Sequence, residues 1–343
     1  MKLLILTQKV DQDDSVLGFF HRWIEEFALH CEKVTVICLE KGRNTLPENV
    51  RIFSLGKNES KGKCARLMRL IKYTWKLRDD YDSVFVHMNP EYIVVLGWLW
   101  RLLGKKIGLW YTHKSVSGRL RIAEFFANTV FSASAQSFRM KSSKLNIMGH
   151  GIDISEFVPP LNPARPEEII TVGRISPIKS YEVLISAVSK LVRIVRQAHV
   201  RIVGGPGRPE DSVYEKNLHA EAKKLGLSAV EFMGPKLHSE IIPLLQDSSI
   251  FVHMSETGSL DKAVLEAMAC GVVVVSSSEA VSDMLKPLGL TYRKKDIDDL
   301  VDKLVSLISD PGRVRELSYK MRDYVERNHS LKGLIPRILS YYE

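Results

Sequence analysis

The chain has 343 residues, 45% of them hydrophobic, enough to bury two cores of ordinary size. Its 49 Lys and Arg outnumber its 40 Asp and Glu by a net +9, and the excess lies within residues 1–150. A balanced second half, and no strand face that interleaves basic and aromatic residues, argue against a nucleic-acid-binding protein. Four cysteines with no C-x-x-C pair argue against a disulfide framework and for thiols in a reducing cytoplasm.

In chain order, the first apolar run, KLLILT, is too short for a signal peptide and right for a first strand. The turn after it, TQKVDQDDSVLG, has no G-x-G-x-x-G, so a nicotinamide-binding fingerprint is missing where a dehydrogenase needs one. Asp11, Asp13 and Asp14 read there as a solvated turn capping a helix from Ser15 to His30, not as a metal site. VTVICL, SVFVHM, KIGLWYT and VFSAS are the next predicted strands. His87 and Asn89 follow one of them and are candidates for touching acceptor hydroxyls; His113 follows another, where a cleft residue belongs.

Between these strands, KGKCARLMRLIKYTWKLR (61–78) spaces Leu67, Leu70, Ile71 and Trp75 helically among Arg66, Arg69, Lys72, Lys76 and Arg78. One account is a surface helix whose apolar stripe packs on the domain core. The other is attraction to an anionic bilayer, worth about 1 kcal/mol per Lys or Arg. YIVVLGWLW (92–100) is too short to span a membrane and fits a helix between sheet and solvent, or a deepening of such a contact. Asp80-Tyr81-Asp82 precedes a strand, the wrong end for a ligand.

Four prolines in EFVPPLNPARPEE (156–168) suit a linker. The expected division is an acceptor-side domain over 1–158, a second domain over 159–328 and a terminal helix over 329–343. EIITV, VRIVG, SIFVHM and VVVVSS follow the linker, and strands alternating with helical patterns imply parallel sheets covered on both faces.

Two places in the second half read as anion sites. After EIITV come Gly173 and Arg174, then Lys179, then an amphipathic helix; a planar fork and a mobile ammonium flank one strand exit and together suit a diphosphate. After SIFVHM comes Glu256, then Thr257-Gly258-Ser259-Leu260-Asp261 and a helix from about Lys262 to Cys270. Gly258 permits positive φ or close backbone approach, Ser259 and Asp261 can cap the helix, and Glu266 lies one turn inside it.

Three segments, HGIDISEF (150–157), GRISPIK with its following LISA, and LEAMACGVVVVSS around Glu266, resemble the retaining GT-B glycosyltransferases of family 4. That resemblance implies two Rossmann-like, doubly wound domains facing across a cleft, with a C-terminal helix crossing back to the N-terminal domain. It implies that Arg174 and Lys179 contact the donor diphosphate, that Glu266 binds the nucleotide ribose, that His113 contacts the donor sugar, and that no metal or other cofactor is needed. His150 and Asp153 fall where the family has its hinge.

The chain departs from the family at the first of two glutamates spaced eight apart, where Gly258 stands. Glu256 serves in its place only if the loop is rearranged; otherwise backbone N–H groups from Gly258 to Asp261 must hold the sugar. The expected activity is retaining, metal-independent transfer of a sugar from a nucleotide-diphosphate donor to a glycan or lipid-linked acceptor, in a cytoplasmic or membrane-peripheral protein. A non-catalytic binding module on the same fold and a sugar-nucleotide epimerase are the alternatives.

Overall fold

The computed structural model describes every residue except Ser15, Ser60, Lys61 and Thr257. By internal packing the chain forms two units, Met1–Asp153 together with His329–Glu343, and Ile154–Asn328.

The first unit is built on strands β1 (Lys2–Val10), β2 (Lys33–Lys41), β3 (Val50–Ser54), β4 (Ser83–His87), β5 (Lys106–Trp110), β6 (Thr129–Ser132) and β7 (Leu145–Ile147). All pair in parallel, in the order β3-β2-β1-β4-β5-β6-β7. Helices α1 (Phe19–His30), α2 (Lys63–Lys76), α3 (Glu91–Leu102) and α4 (Gly118–Phe126) connect them. Because successive side chains on a strand point to opposite faces, β1 splits its apolar run between two cores. Leu3 and Ile5 pack with Phe20, Trp23 and Phe27 of α1, whereas Leu4 and Leu6 pack with Leu70 of α2, Ile93 and Trp100 of α3 and Leu120 of α4. Gly97 in α3 is required by close packing on α4, since a Cβ there would come 2.7 Å from the Phe126 side chain.

Helix α1 starts at Phe19, four positions after the expected Ser15, which lies outside the described residues. Asp14 still organises the entry: its Oδ1 accepts from the backbone N–H groups of Val16 and Leu17, and its other oxygen from Lys9.

Helix α2 corrects the core-packing account of residues 61–78. Only Leu70 and Thr74 are buried; Leu67, Met68, Ile71 and Trp75 are 42%, 66%, 39% and 52% exposed. At about 100° per residue the exposed apolar stripe is turned about 100° away from the buried one, so the neighbours, not the amphipathic spacing, decide which stripe is covered.

The second unit carries β8 (Glu168–Val172), β9 (His199–Val203), β10 (Val230–Gly234), β11 (Ile250–His253) and β12 (Val273–Ser276), parallel in the order β10-β9-β8-β11-β12. Its helices are α5 (Tyr181–Ile194), α6 (Asp211–Lys224), α7 (His238–Gln246), α8 (Lys262–Ala269), α9 (Ser282–Leu285), α10 (Ile297–Ile308) and α11 (Pro311–His329). The near-continuous apolar strands, such as Val272 to Val275, are buried on both faces, as a helix-covered parallel sheet requires. The chain enters this unit just ahead of the proline-rich segment, which packs within it: Gln246 donates to the Val158 carbonyl and Ser249 to that of Ala164.

Helix α12 (Leu331–Leu339) returns to the first unit. Leu331, Leu334, Ile335, Ile338 and Leu339 join the α1 core; Tyr342 donates to the Val84 carbonyl, and Lys106 donates to the Tyr342 and Glu343 carbonyls. Backbone bonds from Ile152 to His329 and from Leu331 to Ile152 fasten the returning strand of chain.

Candidate functional site

In an open parallel sheet, ligands bind beyond the carboxyl ends of the strands where the strand order reverses. In the second unit that point lies between β8 and β11, because β8 pairs with β9 on one side and β11 on the other. Both sequence-predicted anion segments leave the sheet there.

Gly173 and Arg174 follow β8 directly. A Cβ at Gly204, which has φ +139° at the exit of β9, would lie 1.9 Å from the Gly173 carbonyl oxygen, so the two exits touch through backbone alone. The exposed Arg174 arm runs beside Gly207, where a Cβ would come 2.9 Å from its Cδ. Lys179 ends a short turn, and Ser180 then adopts φ +50° before α5 begins. Tyr181, buried at the head of α5, donates to the Gly173 carbonyl and ties helix to strand exit.

Beyond β11, Gly258 has the expected positive φ, +65°, and leads through half-buried Ser259 and Leu260 to α8. Thr257 lies outside the described residues. Asp261 occupies the N-cap of α8 but corrects the capping expectation, because its side chain does not cap the helix. The Asp261 carboxylate turns instead to Lys179, whose ammonium donates to Oδ2, and to His253 Nε2 at 2.7 Å. Burial pushes that carboxyl up, but the His253 hydrogen bond and the Lys179 charge hold it well below the usual range. One ion pair therefore joins the segment after β8 to the start of α8.

Glu266 is buried and meets His238 Nε2 at 3.1 Å, with Lys262 one turn before it. Burial raises the Glu266 carboxyl, and the His238 bond and Lys262 charge outweigh it to leave the group below its ordinary value. Lys262 is lowered to about 8 by burial, against the pull of Glu266. His238 begins α7 and sets its ring edge-on to Phe157, 5.1 Å between centroids.

Two candidates are placed otherwise than expected. Glu256 is held by Lys294 at 2.9 Å, Lys295 at 3.2 Å and the Ser180 hydroxyl at 3.1 Å, with the Lys294 bond first in drawing its carboxyl down. Its carboxylate braces the left-handed turn at Ser180 instead of replacing the missing glutamate. His87 is a core residue: 2% exposed, stacked on Phe20 at 3.9 Å and hydrogen-bonded through Nδ1 to Thr7. Burial removes it from contact with any acceptor.

Asn89 keeps a place at the β4 exit, next to Met88 at φ +64°, and its Nδ2 is buried with no hydrogen-bond partner among the described residues. His113 is exposed on the loop after β5, its Nδ1 accepting from the Ser115 N–H. Asp153 is paired with Arg22, and the His150 N–H donates to His329 Nδ1, all within the first unit.

Four contributors carried no signal strong enough to single out. His253 closes an apolar strand and reads as core; His238 and Lys262 matter only because the start of α7 meets Glu266 of α8; Gly204 sits in a GGPG run that reads as a plain turn.

Comparison with known proteins agrees with this geometry. The model of the family described as glycosyl transferases group 1 matches residues 154–327, just over half of the chain. A D-inositol 3-phosphate glycosyltransferase of Rhodococcus jostii is 27% identical over 222 residues, 56% of this chain and 46% of that protein. A GDP-mannose-dependent monoacylated alpha-(1-6)-phosphatidylinositol monomannoside mannosyltransferase of Corynebacterium glutamicum is 29% identical over 205 residues, 52% of this chain and 51% of the relative. The chain spans about half the length of the curated relatives it matches. In fold, Anabaena HepE, solved in complex with UDP, aligns over 99% of each chain with a TM-score of 0.77 at 17% identity. The two doubly wound units are those of the GT-B fold, and the chain belongs to the glycosyl transferases group 1 family.

Proposed function

We propose that the protein is a retaining, metal-independent glycosyltransferase that moves a sugar from a nucleoside-diphosphate donor to a glycan or lipid-linked acceptor. The observation that carries this reading is the ion pair that joins Lys179 to the start of α8 at the β8/β11 switch point, with Arg174 directly after β8. Two cations and the N–H groups of a helix start answer the charge of a departing diphosphate. They supply positive charge of the kind a divalent ion brings elsewhere, so activity is expected to survive EDTA. Glu266 is the ribose contact in this reading, and retention rests on the family resemblance. HepE is named with UDP and glucose, and the Corynebacterium relative as GDP-mannose-dependent, which makes UDP- and GDP-sugars the first donors to try.

The first unit is the acceptor side, with Asn89 and His113 as its candidates. Among the described residues no helix is long and apolar enough to cross a membrane. The uncovered stripe of α2, flanked by Arg66, Arg69, Lys72 and Lys76, favours a cytoplasmic enzyme that rests on an anionic bilayer and meets a lipid-linked acceptor there.

The test is transfer from a panel of UDP-, GDP- and ADP-sugars to lipid-linked and soluble glycan acceptors, with and without EDTA. Product that keeps the anomeric configuration of the donor, formed equally with EDTA, supports the reading. Donor converted to an epimer without acceptor would replace it with the epimerase alternative. Tight donor binding without turnover on any acceptor would point to a binding module.

A further inference from the structure

The environment of Asp261 is more elaborate than an N-cap or a lysine partner requires. His253, 5% exposed, reaches Oδ2 through Nε2 at 2.7 Å. Its Nδ1 lies 2.9 Å from Ser276 Oγ, which accepts from the Ser278 N–H at 3.0 Å. The ionised Asp261 can only accept, so Nε2–H donates to Oδ2, and Nδ1 of the neutral ring accepts from the Ser276 hydroxyl. Lys179 donates to the same Oδ2. Both donors fall on one carboxylate oxygen, and the helix start draws on neither. A buried imidazole anchored from behind by a serine fixes the direction of this carboxylate.

We propose that Asp261 is a specificity-determining residue that accepts hydrogen bonds from hydroxyls of the donor's sugar through Oδ1, with His253 as its positioning residue. The proposal rests on the nucleotide-sugar reading of this site. An ammonium has three N–H donors, so Lys179, giving one to Asp261, keeps two for phosphate oxygens. A diphosphate on Lys179 then sits one ammonium away from the carboxylate, and the glycosyl group it carries is the adjacent moiety. A carboxylate repels phosphate and accepts from hydroxyls, so the sugar is the part of such a ligand that Oδ1 suits. The loop that frames it, with Gly258 at φ +65°, offers backbone but no carboxylate of its own, and Glu256 is taken by Lys294 and Lys295.

The test is calorimetric titration of UDP and GDP against the matching intact nucleotide sugars, with wild type, Asp261→Asn, Asp261→Ala, His253→Gln and His253→Leu. Binding of the bare nucleoside diphosphate serves as the folding control. Asp261→Ala should weaken the nucleotide sugar about 10- to 100-fold more than the nucleoside diphosphate, the usual range for a hydrogen bond to a charged group. Asp261→Asn should lose part of that ratio. His253→Leu should lose it as well, and His253→Gln, which keeps a donor to Oδ2, should restore it. A purely structural role for His253 would lower melting temperature without moving the ratio. Equal losses for both ligands would mean that Asp261 acts only on Lys179 and would overturn the proposal alone, as would unchanged binding of both. Wild type that binds no nucleotide or nucleotide sugar would remove the transferase reading and the proposal together.

Discussion

The two units place charge differently at the exits of similar sheets. In the second, ionisable groups at the strand ends are drawn in and matched: Lys179 with Asp261, His238 with Glu266, Glu256 with Lys294 and Lys295. In the first, His87 at the β4 exit is buried among aromatic rings, while much of the cationic excess stands on the outside of α2. A pre-paired charge cluster suits a small, highly charged ligand, because the protein has already met the desolvation cost and exchanges one partner for another. A spread of surface cations beside uncovered apolar residues suits an extended anionic surface.

The sharpest way to break this comparison is to remove the cations of the second unit. Arg174→Ala and Lys179→Ala are each expected to lower kcat/KM about 10²- to 10³-fold, the scale of one lost charge-stabilising donor, with melting temperature unchanged in Arg174→Ala and lowered in Lys179→Ala, which strips Asp261 of its ammonium partner. Steady-state kinetics on the best donor checks this; turnover near wild type in either variant would dissolve the contrast. Gly204→Ala comes next. Its Cβ would meet the Gly173 carbonyl at 1.9 Å from a glycine-only backbone angle, so a loss of about 2–3 kcal/mol of second-unit stability is expected, read by urea denaturation.

A pH scan sharpens the comparison at similar size. Buried His329 of the first unit is lowered to about 4, by burial first and then by the Arg337 charge. A histidine depressed in the folded state stabilises above its unfolded pKa of about 6.5 and withdraws that support as pH falls toward 4, in all about 3 kcal/mol. Burial lowers His21 in the same unit too. The second unit's Glu168, Glu266 and Asp261 are depressed carboxyls, whose support is present above the unfolded carboxyl range and is lost only below it. Between pH 6.5 and 4.5 the first unit alone should weaken on these grounds. All five tryptophans, Trp23, Trp75, Trp98, Trp100 and Trp110, belong to that unit, so their emission in urea titrations reports it selectively, and far-UV dichroism follows both. His329→Gln should flatten the slope; coincident, pH-independent midpoints would refute the assignment.

The smallest effect concerns α2. Lys72→Glu and Lys76→Glu should each weaken binding to phosphatidylserine-containing vesicles by about 1 kcal/mol or more, and Trp75→Ser should weaken it further, without loss of folding. Co-sedimentation at two salt concentrations checks this, and equal binding by all variants would leave the exposed stripe without a bilayer role.

Legibility in the sequence followed burial. Strands buried on both faces, such as β1, β8 and β12, announce themselves as apolar runs. The edge strands β3 and β10, with half-buried Val50 and Val230 beside exposed Arg51 and Glu231, carry too weak a period to be legible. Arg174, Lys179 and Glu266 were legible because charged residues at strand exits and helix starts stand out against apolar neighbours. The direction of the α2 stripe and the partners of Glu256 and Asp261 were not, since each depends on a residue from a distant segment. His253 is the clearest case: its meaning comes from Ser276 and Asp261, and nothing in SIFVHM separates it from a core histidine.

Helix α12 turns the order of synthesis against the order of assembly. Residues 154–328 form a contiguous unit and can close their core as soon as they emerge, whereas the first unit is begun earlier but lacks Leu334, Ile335 and Ile338 until α12 is translated. A nascent first domain thus spends most of translation with its α1 face uncovered, alongside Trp23 and Phe27. Chaperone demand during production, and sensitivity to loss of α12, should therefore fall on the half of the protein that the ribosome begins first and completes last.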